Sequence, residues 1–325
     1  MYNLIIDFSI LVDFFLSKPL DIFEGGTIEE QTYWNSLGQF LKSGANVEII
    51  NFDDTNKLVL PLINNLTSGR VTTSIKINDH FTKPYKNTFN ITNIFTICFL
   101  VEHDEKEILK FKKNNPFLIC FNKEYKSVWQ KLSRVNHRKT IPIRKIYTEG
   151  LQKMSDLESI FLKTSDVILF DNYILDFNLM DSNLIPILES LYKFSNNHLN
   201  VLIISNEYTV KKPIKECYDL LLNKLKEKKI QVNLCLIFTQ SKLKEHDRHL
   251  IFNHFRIKTG DSFNFFDSQG KIITKGTELD IYPLIEKTNF ENTFILINKA
   301  KKIVTESPTE NIIGNCKNRL ITSTI

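Results

Sequence analysis

One stretch of the chain concentrates residue types that can bind phosphate. In order it reads H-x-R-x4-N-x6-G-x-S-x-N, formed by His246, Arg248, Asn253, Gly260, Ser262 and Asn264. Arginine holds phosphate through a planar fork of donors. The Ser262 hydroxyl and the Asn264 amide can hydrogen-bond phosphate oxygens, and Gly260 allows the backbone to approach a ligand closely. These residue types therefore indicate a ligand that carries phosphate.

The same stretch resembles the signature of phospholipase-D-type enzymes, H-x-K-x4-D-x6-G-S-x-N. The spacing from His246 to Gly260 is the same, but Arg248 replaces the lysine and Asn253 replaces the aspartate. The resemblance implies that phosphodiesters are the leading class of ligand, that His246 is the nucleophile and that Arg248 clamps the phosphate. Because Asn253 cannot carry a negative charge, we expect the catalytic set of these three residues to be degraded or re-tuned. The alternative is a polar hairpin end with local hydrogen bonds.

A longer segment, residues 166–283, resembles the phospholipase-D-like C-terminal domain of MIT-domain proteins. The similar pieces are Phe170–Ile174, His246–Arg248, Phe252-Asn253, Ile257-Lys258, Gly260 and Phe265-Phe266. The resemblance implies a fold that is usually non-hydrolytic, binds acidic phospholipid and dimerises. It also implies that the phosphate-facing pocket is lined by His246, Arg248, Lys258, Asp171 and Tyr173. Residues 1–150 are α/β rather than the family's three-helix module, so partners of that module are not expected.

The signature occurs once in the chain. His137-Arg-Lys139 offers a second H-x-K, but neither the acid nor the Gly-Ser-Asn part follows it. In phospholipase-D-type enzymes two half-sites face each other, so a complete site here would require a homodimer.

The apolar pattern predicts an α/β fold with two domains and a tail. Residues 1–145 alternate strands and helices and are expected to form a Rossmann- or PIN-like domain with a parallel sheet. Residues 150–305 are expected to form the phospholipase-D-like α/β domain with a mixed sheet, and residues 306–325 a polar tail. Within this scheme Thr72–Thr92 is interpreted as a long loop or an irregular hairpin, and Thr293–Asn298 as the last core strand.

Acidic residues follow three strands of the N-terminal domain. Asp7 ends a strand as in PIN-like nucleases, which the opening segment loosely resembles, and Asp53 and Glu124 follow two further strands. Acids at the carboxyl ends of parallel strands can converge on Mg²⁺. Acids after strands are also common helix caps. The alternatives are thus a metal-dependent nuclease and a scaffold that docks a protein partner.

Composition leaves several ligands open. The net charge of +5 permits nucleic acid or anionic lipid as a partner without requiring either. The basic run of residues 134–145 is either a solvated connector or an anion-binding rim. The five cysteines form no C-x-x-C pair, which is typical of reduced thiols in a cytoplasmic protein. No apolar run approaches the roughly 18 residues of a membrane span.

Three functions remain as hypotheses. The first is a binding module whose degenerate pocket recognises phosphate in nucleic acid, with a bacterial defence role expected by analogy. The second is a nuclease, working without metal through His246 across a dimer or with Mg²⁺ at the N-terminal acids. The third is a membrane adaptor that binds acidic phospholipid. No cofactor is expected unless the N-terminal acids hold Mg²⁺.

Overall fold

The described chain divides into two compact units. The computed structural model describes residues 1–68, 74–78, 93–101, 105–133, 145–239, 247–274 and 276–322. Unit 1 takes in the described residues of Met1–Ile143 together with Ile285–Glu291, and unit 2 those of Arg144–Leu284 and Asn292–Ser323. The first change of unit falls close to the boundary expected near residue 145. The return of Ile285–Glu291 to unit 1 was not expected from the sequence.

Unit 1 is built on a parallel sheet of five strands in the order β3-β2-β1-β4-β5. The strands are β1 at Tyr2–Asp7, β2 at Ala45–Ile50, β3 at Ile75–Asn78, β4 at Thr96–Leu100 and β5 at Leu118–Phe121. The helices are α1 at Phe8–Leu16, α2 at Ile28–Gln39, α3 at Val59–Thr67, α4 at Glu105–Asn114 and α5 at Tyr125–Ser133. The strand order reverses between β1 and β4, where open α/β sheets usually bind ligands.

The burial of the strands of unit 1 follows from their apolar sequences. Every residue of β4 and of β5 is buried, as expected of parallel strands covered on both faces. Ile5, Cys98 and Phe117 belong to one core cluster that joins β1, β4 and the approach to β5. This packing fixes where the carboxyl ends of the strands emerge, and therefore where the acids that follow them lie.

Unit 2 contains a mixed sheet of eight strands in the order β13-β9-β8-β7-β10-β11-β12-β6. The strands are β6 at Lys145–Tyr147, β7 at Asp166–Phe170, β8 at Leu199–Asn206, β9 at Val232–Thr239, β10 at Arg248–Phe252, β11 at Phe255–Thr259, β12 at Glu278–Pro283 and β13 at Ile312–Gly314. The helices are α6 at Leu184–Lys193, α7 at Glu207–Val210, α8 at Ile214–Glu227, α9 at Lys287–Glu306, which belongs to this unit from Asn292 on, and α10 at Arg319–Thr322. The expected α/β fold, with one parallel and one mixed sheet, is confirmed.

Two kinds of pairing shape the mixed sheet. β7, β8 and β9 are parallel, whereas β10 runs antiparallel to β7 and to β11. β10 and β11 form a hairpin over Arg248–Thr259. Because His249 pairs with Phe170, the start of β10 lies beside the end of β7. The polar residues that follow β7 are thereby brought next to those that begin β10.

The predicted strand at Thr293–Asn298 is wrong, because this segment lies within the helix α9. The buried residues Thr293, Ile297, Ala300 and Ile303 follow helical spacing, while Ile295 is exposed. The apolar run had suggested a strand, but its burial has a helical period. In the described part of the chain, no helix, α9 included, combines the length and apolar composition needed to cross a membrane.

The predicted polar tail at residues 306–325 is also incorrect for the residues that the structure describes. β13 pairs antiparallel with β9 and extends the sheet. Arg319 forms an ion pair of 2.8 Å with the fully buried Asp166 at the start of β7. The backbone amide of Arg319 donates to the same carboxylate at 2.7 Å. A buried carboxylate needs such partners, so this segment completes unit 2.

Candidate functional site

The polar residues of unit 2 gather where β7 and β8 end and β10 begins. Asp171 follows β7 directly, and its backbone amide donates to Ile204 of β8. Arg248 is the first residue of β10, opposite Thr259 at the end of β11. The loop from Gly260 to Asn264 therefore starts at the same edge of the sheet. We call this edge, with Asp171, Tyr173, Arg248, Ser262 and Asn264, the Asp171 edge.

Asp171 organises this edge as an acceptor. One carboxylate oxygen accepts from the amide of Tyr173 at 2.9 Å. The other accepts from the Ser262 hydroxyl at 2.8 Å and from the amide of Phe263 at 2.7 Å. The carboxyl group is buried, and this burial raises its pKa despite the three hydrogen bonds and the charge of Arg248, which lower it. Asp171 therefore joins the end of β7 to a loop about ninety residues later in the chain.

Arg248 is held beside this carboxylate by two contacts. Its guanidinium donates to the carbonyl of Gly260 at 2.9 Å. The same group lies 5.5 Å from the centre of the Tyr173 ring, within the range of a cation–π interaction. The guanidinium is thus positioned before any ligand arrives, which lowers the entropic cost of binding an anion.

Ser262 and Asn264 have structural partners at this edge. The Ser262 hydroxyl donates to Asp171, and the Asn264 amide donates to the carbonyl of Tyr173 at 2.7 Å. The Oδ1 atom of Asn264 is buried and accepts no hydrogen bond from the described residues. Buried polar atoms normally have partners, so an unsatisfied acceptor at this edge is consistent with a ligand or water position.

Asn206 was not among the residues predicted from sequence, yet it belongs to the same edge. It ends β8, next to the strand that Asp171 follows, and caps α7 by accepting from the amide of Tyr208 at 3.0 Å. Its side-chain Nδ2 is buried and donates no hydrogen bond to the described residues. The sequence signal was an asparagine at the end of the apolar run that precedes it, which indicates polarity but not proximity to Asp171.

Lys258 is separated from the Asp171 edge. Residues that face each other in an antiparallel pair project to the same side of the sheet. Arg248 faces Thr259, so Lys258, one residue earlier, projects to the other side. There its ammonium pairs with Asp247 at 2.8 Å, which raises the pKa of Lys258 and lowers that of Asp247. The expected position in a pocket shared with Arg248 does not agree with this register.

Asn253 lies at the far end of β10. Arg248 is five residues away, on the order of 16 Å at the usual rise of about 3.3 Å per residue. The side chain of Asn253 is buried and accepts from the amides of Ser165 and Asp166 at 3.0 and 3.2 Å. It also donates to the Ser165 hydroxyl at 3.0 Å. Asn253 therefore fastens the hairpin to the start of β7, and its position does not support the expected catalytic role.

His246 lies outside the described residues, as does the basic run as far as Arg144. Of the expected catalytic set, the structure thus describes Arg248 and Asn253, and it places them at opposite ends of one strand. Of the three expected catalytic residues, the structure therefore describes a phosphate-binding residue type at the edge and a structural asparagine away from it.

The three acids expected to hold Mg²⁺ in unit 1 each have local partners. The Asp7 carboxylate accepts from Ser9, capping α1, and from the Asn51 side chain at 2.6 Å. Asp53 accepts from the amide and hydroxyl of Thr55 at 3.1 and 2.6 Å. Glu124 pairs with Lys112. Within the described ranges, no three His, Cys, Asp or Glu side chains come together as a metal site.

No protein-family model matches this chain, and no curated protein matches its sequence. The phospholipase-D and PIN-like resemblances therefore remain predictions. The case for a functional site rests on the geometry of the Asp171 edge.

Proposed function

We propose that unit 2 binds a phosphodiester at the Asp171 edge, with nucleic acid as the preferred source of the phosphate. One observation carries the proposal: the Arg248 guanidinium is held by the Gly260 carbonyl and the Tyr173 ring, at a sheet edge with a buried carboxylate. A planar guanidinium matches two phosphate oxygens at once, which a lysine cannot do. The net charge of +5 supports an anionic partner.

The negative charge of Asp171 is compatible with anion binding. The carboxylate accepts three hydrogen bonds from the backbone and from Ser262, so its lone pairs face the protein. Burial raises the pKa of this carboxyl group. Asp171 fixes the loop that begins at Gly260, and the carbonyl of Gly260 in turn holds Arg248.

Binding rather than cleavage is the favoured activity. The residue in the place of the signature aspartate, Asn253, lies at the other end of β10 and serves the hairpin. Cleavage without metal would need His246 in two copies of the chain, so it requires a homodimer. We therefore propose a phosphodiester-binding protein of the cytoplasm, with nuclease activity and binding to acidic phospholipid as the alternatives.

The direct test is binding of labelled single-stranded DNA, RNA and duplex DNA, measured by fluorescence anisotropy in EDTA. Arg248→Glu should abolish binding, because it reverses the charge at the edge. Arg248→Lys should weaken it by about tenfold, on the order of one charge-assisted hydrogen bond. The matched control is Lys301→Ala, which removes an exposed cation from α9 of the same unit. Unchanged affinity in Arg248→Glu, with the fold intact, would contradict the proposal.

The same reactions distinguish the alternatives. Cleavage in EDTA that disappears in His246→Ala would establish a metal-independent nuclease, and sedimentation should then show a dimer. Cleavage only with Mg²⁺ would assign the activity to the acids of unit 1. Retention on vesicles containing acidic phospholipid, with no retention of any nucleic acid, would replace the proposal with the membrane adaptor.

A further inference from the structure

Two tyrosines of unit 2 are exposed at the Asp171 edge, Tyr173 in the loop after β7 and Tyr208 in the short helix α7. Tyr173 is 44% exposed and Tyr208 is 67% exposed. Tyr173 follows β7 and Tyr208 follows β8, and these strands are adjacent and parallel. Large aromatic side chains are usually buried, because their exposure costs hydrophobic free energy. Two exposed rings at the same sheet edge as Arg248 therefore need an explanation.

The segments that carry Tyr173 and Tyr208 are fixed by hydrogen bonds. The Thr209 hydroxyl, next to Tyr208, donates to the carbonyl of Asn172, next to Tyr173. The Asn264 amide donates to the carbonyl of Tyr173. The backbones that carry the two rings are thus tied to each other and to the loop after β11. Adjacent strands lie about 4.8 Å apart, so the rings start from closely spaced positions.

Arg248 contributes to the arrangement by lying over one face of Tyr173, at 5.5 Å from the ring centre. Tyr173 is nevertheless 44% exposed, so part of its surface is open to a ligand. A flat apolar group stacked on Tyr173 would carry its attached phosphate close to the guanidinium. An unpaired base with its phosphodiester has this combination of a flat ring and an adjacent negative charge.

We propose that Tyr173 and Tyr208 stack bases of single-stranded nucleic acid whose phosphodiester is held by Arg248. This inference rests on the proposed function and names its substrate class. In a duplex the bases already stack on each other, whereas in a single strand they can lie on aromatic side chains. Two exposed lysines, Lys211 and Lys212, follow α7 directly, and the ammonium of Lys212 pairs with Glu216 at 2.9 Å.

The experiment compares stacking with simple charge attraction. A short labelled single strand is titrated into wild type, Tyr173→Ala, Tyr208→Ala and the corresponding phenylalanine variants. Each alanine variant should lose at least about fivefold in affinity, the lower end for one stacked base, and each phenylalanine variant should stay within about twofold. Phe23→Ala is the control, because Phe23 is a fully exposed aromatic residue of unit 1.

An abasic strand of the same length supplies the matched ligand. It keeps the phosphates and lacks the bases. Its affinity for wild type should equal the affinity of the normal strand for the double variant Tyr173→Ala, Tyr208→Ala, because stacking is absent in both pairs. Equal affinity for the abasic and normal strands would overturn the stacking inference. If Arg248→Glu still abolished binding, the proposed function would survive that result. If wild type bound acidic vesicles but neither the normal nor the abasic strand, both the stacking inference and the proposed function would be overturned.

Discussion

Asp7 in unit 1 and Asp171 in unit 2 occupy similar positions with different surroundings. Each stands at the carboxyl end of a parallel strand, and they are 1% and 3% exposed. Asp7 accepts from Ser9, two residues away, and from Asn51 after the neighbouring strand. Asp171 accepts from a loop about ninety residues later and lies near the guanidinium of Arg248.

The difference shows that an acid at the end of a strand is not a site by itself. Asp7 caps a helix and binds a neutral amide, which is the common structural use of such an acid. Asp171 fixes the loop whose Gly260 carbonyl holds the guanidinium of Arg248, so its edge carries a positioned cation. The chemistry of such an edge depends on the side chains and loops that neighbouring segments place next to the acid.

The largest effect is expected for Asp171→Ala. This change leaves three donors without their acceptor, and the buried one, the amide of Phe263, alone costs about 1–3 kcal/mol. We expect the free energy of unfolding of unit 2 to fall by about 4 kcal/mol, measured by urea denaturation. A loss below about 1 kcal/mol would mean that the carboxylate does not hold the loop, and the comparison between the edges would fail.

A smaller loss is expected for Asp7→Ala in unit 1. The change removes one helix cap, typically worth about 1 kcal/mol, and the partner of the Asn51 amide. We expect a loss of about 2 kcal/mol, measured in the same way. Asp7→Asn keeps a capping oxygen and should recover about half of it. Equal losses for Asp7→Ala and Asp171→Ala would remove the distinction drawn here.

The pH dependence of Asp171→Asn tests the electrostatic side of the comparison. Burial raises the folded-state pKa of Asp171 above its usual value of 3.8. The stabilisation from this group is therefore complete below 3.8 and is lost as the pH rises through the folded pKa. Relative to Asp171→Asn, wild type should become less stable as the pH rises from about 3.5 to 7. The difference in unfolding free energy between the two proteins cannot change by more than about 1.4 kcal/mol per pH unit. If the stability of wild type relative to Asp171→Asn stayed constant or increased as the pH rises, the raised pKa would be contradicted.

The smallest effects are expected at the other two acids of unit 1. Glu124 pairs with Lys112 at a partly exposed position, and Asp53 caps a local turn, so Glu124→Ala and Asp53→Ala should each cost at most about 1 kcal/mol. Thermal unfolding with and without Mg²⁺ checks whether they act together. If Mg²⁺ stabilised wild type and none of Asp7→Ala, Asp53→Ala and Glu124→Ala, the hypothesis of a metal site in unit 1 would be supported again.

The fold was predictable where one pattern decides it. The alternation of buried strands and helices in unit 1 and the hairpin at Arg248–Thr259 are both visible in the apolar periods. β3 at Ile75–Asn78 was missed because four residues carry too little periodicity. Thr293–Asn298 was assigned to a strand because its apolar run fits either period, and only its burial in the folded unit identifies a helix.

The candidate site was only partly predictable for a different reason. The residue types in the signature indicated phosphate, and Arg248, Ser262, Asn264, Asp171 and Tyr173 do lie at one edge. Strand register sets the rest: it turns Lys258 to the other face and puts Asn253 at the far end of β10. Asn206 and Tyr208 join the edge because β8 lies next to β7, which spacing along the chain does not show.

The central claim is that Arg248 at the Asp171 edge holds a phosphate. It is tested most directly by the salt dependence of single-strand binding in wild type, Arg248→Ala and Lys301→Ala. Each phosphate contact contributes about 0.7 to the slope of log affinity against log salt concentration. If Arg248 holds a phosphate, Arg248→Ala should have a slope shallower by about 0.7 and a lower affinity, whereas Lys301→Ala should have the slope and affinity of wild type. Identical slopes and affinities in wild type and Arg248→Ala would contradict it.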